Sequence, residues 1–459
     1  MSFRNSPIFA IAAIIFWSTL SSLAQPSDVE PAQFAYNLKN TVEAYSSVGT
    51  KSPVWDADAT NCLALFAAIR SQTNGAIAKN VKDITTDLTK LKSEACTDPF
   101  IGYLYIRYVF APRHSPADNA LAYEQAAVDL QKSSYPDIRK FYALSWVAQS
   151  YALIRGSESR MEDASKTAAT YLRKALDDPS MPAKEADQAC EQLMVGNWQL
   201  EHLRWPTYCI LEPALTNRWQ GASFALLVKG RAYISYAWLA RGGGYAQTVK
   251  DEDWILMRDR LAVAADSLEA AWLLNPYDTR ICYEMMRVEQ GQGRGLDRLD
   301  LWFNRGMKID PSNSDLCYMK LDYLRPRWYG DTNQMIEFGR SCTLNTNYSY
   351  DARLMLAYAH LKVAQDNPGQ AQWMAYWDQP KVWSDVHFTF EQFFKLYPDA
   401  VGYRHNYALY CAYCGQWPAF LAQLKMFPST NYAYFGGIDR FNKILAQAVQ
   451  ETKNKSSSP

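Results

Sequence analysis

A large residue, a small residue and a helix stop recur three times, 35 residues apart, in the second half of this 459-residue chain. In LAVAADSLEAAWLLNPYD, LDRLDLWFNRGMKIDPSN and NQMIEFGRSCTLNTNYS the large residues are Leu268, Phe303 and Phe338. The small ones are Ala271, Gly306 and Ser341, and the stops are Pro276, Pro311 and Thr346. A fixed period of this length marks a repeat architecture, in which each unit buries its apolar face only by stacking on the next. The large residue fills the groove between paired helices, the small one lets backbones approach, and Pro or Asp-Pro ends the helix. A weaker copy closes TFEQFFKLYPDA, where Phe390 and Pro398 keep the offset and Phe393 takes the small residue's place. The pattern predicts an all-α fold, an α-solenoid of stacked helical hairpins.

At these residues the chain resembles the tetratricopeptide repeat family, whose unit is a helix-turn-helix of about 34 residues. Ala264, Leu268, Ala271 and Pro276 fall on that family's second-helix positions, and Gly230 and Tyr233 on its first-helix Gly and Tyr. The first helices of the second and third repeats lack that Gly and Tyr, and the turn after Ala240 is longer than the family's. The resemblance spans residues 221–425, whereas 25–220 reads as irregular helical pairs such as PADNALAYEQAAVDLQKSSYP and DASKTAATYLRKALDDP. WLARGGGYAQTV and YLRPRWYGDTNQMIEFGRSC are also similar to phrases of uncharacterised secreted bacterial proteins of tetratricopeptide-like type. That resemblance implies a scaffold and brings no activity with it.

The N-terminus carries Arg4, a short apolar run from Ile8 to Trp17, and Ser22-Leu23-Ala24 before Gln25. This is the layout of a secretory signal, with small residues at the cleavage site and a run too short to span a bilayer comfortably. The expected organisation is therefore a signal peptide at 1–24, an N-terminal helical region at 25–220, helical repeats at 221–450 and a disordered polar tail at 451–459. Export places the protein in a periplasm or outside the cell. No later run approaches the roughly 18 apolar residues of a spanning helix, so the mature chain is expected to lack a transmembrane segment.

Lys plus Arg and Asp plus Glu number 47 each, so no net field draws the chain to nucleic acid. His114, His202, His360, His387 and His405 are scattered, with no pair at the i, i+4 spacing of a helical zinc site. Cys411 and Cys414 spell CxxC without a second CxxC or a following His, which reads as packing at the end of a first helix. Nine cysteines leave at least one unpaired. Cys282 and Cys317 occupy equivalent first-helix positions, and stacked helices at about 8–10 Å hold them farther apart than the roughly 7 Å a disulfide tolerates between alpha carbons. Gly291-Gln-Gly-Arg-Gly295 and Gly242-Gly-Gly244 follow helices, not the strand a phosphate-binding loop requires. No GxSxG occurs. The sequence thus calls for no metal, cofactor or catalytic motif.

In a solenoid, equivalent turns line up along one edge. The turns at 241–253, 291–296 and 325–331 would bring together Arg241, Tyr245, Arg294, Arg325, Arg327, Trp328 and Tyr329, a mixture enriched in binding hot spots. The expected role is binding of a protein or peptide at this edge. Two alternatives stand beside it: Trp328 folds back between helices while the arginines form ordinary ion pairs, or the aromatic residues serve a polysaccharide-binding component or an enzyme built on a helical shell.

Overall fold

The computed structural model describes residues 31–71, 77–195, 198–244, 246–366, 369–427 and 429–456. The signal segment at 1–24 lies outside them, as does Tyr245. Among the described residues every regular element is a helix, so the fold is all-α. The chain divides into two units at Pro276/Tyr277.

The first unit holds α1 (Pro31–Leu38), α2 (Ala44–Val48), α3 (Asp56–Arg70), α4 (Ile77–Ser93), α5 (Pro99–Tyr105), α6 (Pro116–Lys132), α7 (Asp137–Tyr151), α8 (Glu158–Leu176), α9 (Ala183–Val195), α10 (Arg204–Arg218), α11 (Ser223–Arg241) and α12 (Asp251–Leu274). Two π-helical turns interrupt it, Lys39–Glu43 between α1 and α2 and Ile106–Phe110 after α5. Local chemistry sets the helix starts. The Asp98 carboxylate accepts from the Phe100 and Ile101 amides ahead of Pro99, and the Ser115 hydroxyl accepts from the Asp118 amide ahead of Pro116. Helices α11 and α12 pack closely, because Gly230 has no Cβ: one built there would lie 2.5 Å from Leu268 Cγ.

The second unit holds α13 (Thr279–Gln292), α14 (Leu296–Ile309), α15 (Ser314–Tyr323), α16 (Thr332–Leu344), α17 (Met355–Asp366), α18 (Gln370–Trp377), α19 (Pro380–Leu396), α20 (Val401–Tyr413), α21 (Trp417–Leu424) and α22 (Ile438–Ser456). Neighbours pack on one another along the chain, and α13 with α15, α15 with α17 and α17 with α19 also meet. The 35-residue period is visible in the helix ends. Helices α12, α14 and α16 finish at Leu274, Ile309 and Leu344, and the next amides, at Asn275, Asp310 and Asn345, bond the carbonyls of Ala271, Gly306 and Ser341. Asp278 and Asn313, also 35 apart, cap α13 and α15.

Three expectations change. The unit boundary falls at 276/277, not 220/221, because α11 packs on α10, where Trp219 meets Phe224 edge to face with centroids 5.3 Å apart. The polar stretch from 451 continues α22 to Ser456, Thr452 closing its hydroxyl onto the Ala448 carbonyl. Ser341 is exposed, and the close approach in that repeat is made by Gly339, where an added Cβ would stand 2.7 Å from Leu356 Cα.

All nine cysteines are free thiols, and Cys62, Cys190, Cys282, Cys317, Cys342, Cys411 and Cys414 are buried.

Candidate functional site

The turn at 325–331 rests on the turn at 291–296. The Tyr329 hydroxyl donates to the Gln290 carbonyl at 2.9 Å, its ring lies 4.8 Å from Tyr323, and a Cβ on Gly293 would meet that hydroxyl at 2.8 Å. Gly293 has φ +63°, the left-handed conformation that favours glycine, so both its backbone and its missing side chain serve this contact.

The arginines of the two turns are occupied. Arg294 reaches both oxygens of the buried Glu289, at 2.9 and 2.8 Å. Arg325, only 7% exposed, spans Asp366 and Asp322, bonding Asp366 through Nε and Nη2 and Asp322 through Nη1 at 2.8 Å. Arg327 stays in solvent, 3.2 Å from Asp322 and above the half-buried Trp328. In the first unit Arg241 folds onto its own turn, donating to the Gly242 and Gly244 carbonyls and lying over the Trp238 and Trp254 rings. Tyr245 lies outside the described residues. The alternative of ordinary ion pairs thus describes Arg294, Arg325 and Arg327, while Arg327, Trp328 and the ring of Tyr329 also keep contact with solvent.

A different surface of the second unit gathers more chemistry. Helix α15 places Asp315, Tyr318 and Asp322 on one face at i, i+3 and i+7, with Arg325 following. Helix α17 does the same with Tyr358, Lys362 and Asp366, and Asp351 stands in the 3-10 turn that precedes it. The opposite sides of both helices are apolar and buried, through Leu316, Cys317 and Leu321 on α15 and Leu356, Ala359 and Val363 on α17. The two polar rows pair as a ladder.

At one end Asp315 and Asp351 repel each other. Next, Tyr318 and Tyr358 meet with ring centroids 4.9 Å apart. Asp322 then faces Lys362, and Arg325 closes the ladder onto Asp366. Tyr403 of α20 hydrogen-bonds Asp351, whose Oδ1 also lies 3.5 Å from the Tyr358 hydroxyl.

The electrostatics differ along the ladder. Crowding by surrounding protein raises the Asp315 carboxyl although its surface is exposed. Burial also raises Asp351, against the hydrogen bonds from Tyr403 and Tyr358, and Asp315 adds to the rise. Burial pushes the Tyr318 and Tyr358 phenols far above the ordinary tyrosine value. Burial opposes the charge on Asp322 too, but the Arg325 and Arg327 guanidiniums outweigh it and hold that carboxyl below its usual range. Burial and the Arg325 charge lower Lys362. Two carboxyls with no cation paired to them among the described residues, beside tyrosine rings, form an aromatic and acidic corner fit to receive one.

The 35-residue period does not mark this surface, because the spacing shifts here. Tyr318 and Tyr358 are 40 residues apart, not 35, since the turn Tyr350–Leu354 lengthens the connection into α17. The legible signal was the helical spacing of Asp315, Tyr318 and Asp322 within one helix.

On another side of α17 the buried His360 joins two partners. Its Nδ1 is 2.7 Å from the Tyr376 hydroxyl and its Nε2 is 3.2 Å from Asp385 Oδ2. Both Asp385 oxygens accept from Arg340 Nη2 at 2.8 Å. Among the described residues no group of three or more His, Cys, Asp and Glu is placed to hold a metal ion, and no helix is long and apolar enough to cross a membrane.

No protein-family model and no curated protein matches the chain.

Proposed function

We propose that the protein is an exported α-solenoid of tetratricopeptide-like type that binds a protein or peptide segment, and that a basic side chain of that segment docks in the corner formed by Asp315, Asp351, Tyr318, Tyr358 and Tyr403. Support for solenoid stacking comes from the next-neighbour packing of α13 on α15, α15 on α17 and α17 on α19, together with helix ends repeating at 35 residues. Support for the binding role comes from one observation above the others: Asp315 and Asp351 are crowded carboxyls with no cation paired to either among the described residues. A lysine or arginine arriving there gains a charge-assisted hydrogen bond and a ring face, together worth more than an exposed surface pair.

Arg327 and Trp328 at the adjoining turn extend the same reading along the ladder. The mature chain, probed against peptide and glycan arrays, is expected to retain peptides containing Lys or Arg, and the Asp315→Asn, Asp351→Asn double variant to lose them with an unchanged melting temperature. Retention of glycans alone would replace the peptide reading with a polysaccharide-binding one. Export is tested by N-terminal sequencing, which is expected to read from Gln25; an intact Met1 species in the membrane fraction would indicate an anchor.

A further inference from the structure

In the first unit one buried carboxylate, Glu185, pairs with Arg70 and feels the charge of Arg139. Glu185 on α9 is fully buried and accepts from Arg70 Nη2 at 3.1 Å, from the Tyr142 hydroxyl at 2.9 Å and from Gln33 Nε2. Burial opposes its ionisation, yet the Arg70 and Arg139 charges and the bonds from Tyr142 and Arg70 hold its carboxyl below the usual range. It is therefore a full negative charge at neutral pH. Arg139 on α7, 1% exposed, gives Nε to the Asn40 carbonyl at 3.0 Å and Nη2 to Asn37 Oδ1 at 2.8 Å. Arg107 lies with its guanidinium 4.1 Å above the Trp146 ring and 5.3 Å from Tyr108. No carboxylate among the described residues lies within ion-pair distance of Arg107 or Arg139. Counted against Glu185, the region carries two uncompensated positive charges.

The donors tell the same story atom by atom. Arg70 Nε, Arg107 Nη1 and Arg139 Nη1 are each sealed from solvent without an acceptor. A buried donor left without an acceptor is costly, more so when charged, so a purely structural network rarely leaves three. Aromatic rings link the three guanidiniums: Arg139 lies 5.6 Å from the Phe66 centroid, Phe66 meets Tyr108 at 6.4 Å, Arg107 lies 5.3 Å from Tyr108 and Arg70 lies 4.2 Å over Tyr142, and all three act on the Tyr103 phenol.

Backbone irregularity surrounds the same place. Arg107 and Tyr108 sit in the π-helical turn Ile106–Phe110, and the carbonyl that Arg139 Nε binds belongs to Asn40 in the π-helical turn Lys39–Glu43. Such turns are costly in a helix and gather at functional sites. The site is also reachable, since Arg70, Arg107, Tyr108 and Trp146 each keep part of their surface in solvent while Arg139 and Glu185 lie sealed behind them.

We propose that this arginine cluster binds an oxyanion, the carboxylate or phosphate group of a small organic molecule, among Arg70, Arg107 and Arg139. Guanidinium groups present planar paired donors that match such groups, and the oxyanion supplies both the missing acceptors and the missing charge. The flanking Tyr108 and Trp146 rings give the rest of the molecule an apolar surface.

Thermal unfolding and titration calorimetry of the full chain decide it, with inorganic phosphate, sulfate and succinate compared at millimolar concentration against chloride of equal ionic strength. The expected result is a saturable rise in melting temperature with at least one oxyanion, lost at least tenfold in affinity in Arg107→Gln and partly kept in Arg107→Lys. A response to phosphate and sulfate alone assigns a tetrahedral ligand, and a response to succinate alone assigns a carboxylate. No saturable response in the wild-type protein, or an equal response in Arg107→Gln, overturns the proposal. Arg107 is part-exposed and its loss leaves Glu185 bonded to Arg70, so this variant is chosen over Arg139→Gln, whose removal empties a buried position. Peptide retention at the ladder of the other unit is read separately and is expected to be unchanged in either variant.

Discussion

The Phe303 and Phe338 rings, 35 residues apart in sequence, meet edge to face with centroids 5.7 Å apart, and the Lys320 ammonium lies 4.7 and 5.0 Å from them. Residues one sequence period apart thus touch across α14 and α16, and α15 between them in the chain contributes the cation. Phe303 is 3% exposed while Phe338 is half-buried. Phe303→Ala is expected to cost about 3–5 kcal/mol by opening a cavity, and Phe338→Ala less because its site is already partly solvated. A double-mutant cycle followed by urea unfolding is expected to give a coupling of about 0.5–1.5 kcal/mol between the rings. Strict additivity would mean that the two positions do not touch.

Small residues separate the helix pairs in a way that substitution can read. A Cβ on Gly306 would lie 2.3 Å from Leu316 Cδ1, the movable end of a side chain, and 3.2 Å from Cys282 Cβ. On Gly339 it would meet backbone, Leu356 Cα at 2.7 Å and the Met355 carbonyl at 2.9 Å, which cannot step aside without shifting α17. Gly306→Ala is expected to cost about 1–3 kcal/mol and Gly339→Ala more than Gly306→Ala, as overpacking does. Ser341→Ala, at an exposed position whose hydroxyl bonds only its own helix, is expected to stay within about 0.5 kcal/mol. Thermal melts of the three variants rank them.

These positions also show where the sequence was legible. The stop residues are legible in the sequence because helix ends depend on local chemistry: the last amide bonds fall at Asn275, Asp310 and Asn345 at the expected period. The small residue was placed at Ser341 because alignment by period assumes a rigid register, whereas packing depends on which side of α16 meets α17, and that side carries Gly339. The same assumption hid the ladder, since a longer connection moves Tyr358 five residues out of register with Tyr318. Arg294 and Arg325 looked like surface hot spots because their acidic partners Glu289, Asp322 and Asp366 carry no periodic signal. The arginine cluster of the first unit is out of reach of the sequence for the same reason: Arg70, Arg107, Arg139 and Glu185 are brought together by four elements far apart in the chain.

Arg325 and Arg327 sit two residues apart and are expected to behave differently. Arg325 is buried with a carboxylate on either side, so Arg325→Ala leaves Asp366 and Asp322 short of their partner and is expected to lower stability by about 1.5–3 kcal/mol. Arg327 is more than half exposed and makes a single 3.2 Å contact, a pair of the kind worth about 0–1 kcal/mol. Arg327→Ala is expected to leave the melting temperature nearly unchanged and to show any effect in peptide retention. Equal losses of stability in the two variants would contradict the burial difference.

Asp385 ties stability of the second unit to pH. Burial alone would raise its carboxyl, but hydrogen bonds from His360 and Arg340, with the Arg340 charge, carry it below the ordinary value. A carboxyl with a lower value folded than unfolded binds fewer protons in the folded state around its titration. Its contribution to stability is therefore complete above the unfolded value, about 4 for aspartate, and is lost as pH falls through the lower folded value. Asp385→Asn removes that charge while keeping the volume. The melting temperature of this variant is expected to lie below wild type at neutral pH, with the gap closing as pH drops below about 4. Arg340 is 39% exposed, so added salt is expected to screen its share and narrow the neutral gap without abolishing it, because the His360 contact is sealed. A gap constant from pH 7 down into the acid range would assign the loss to shape alone and remove the carboxylate from the account of stability.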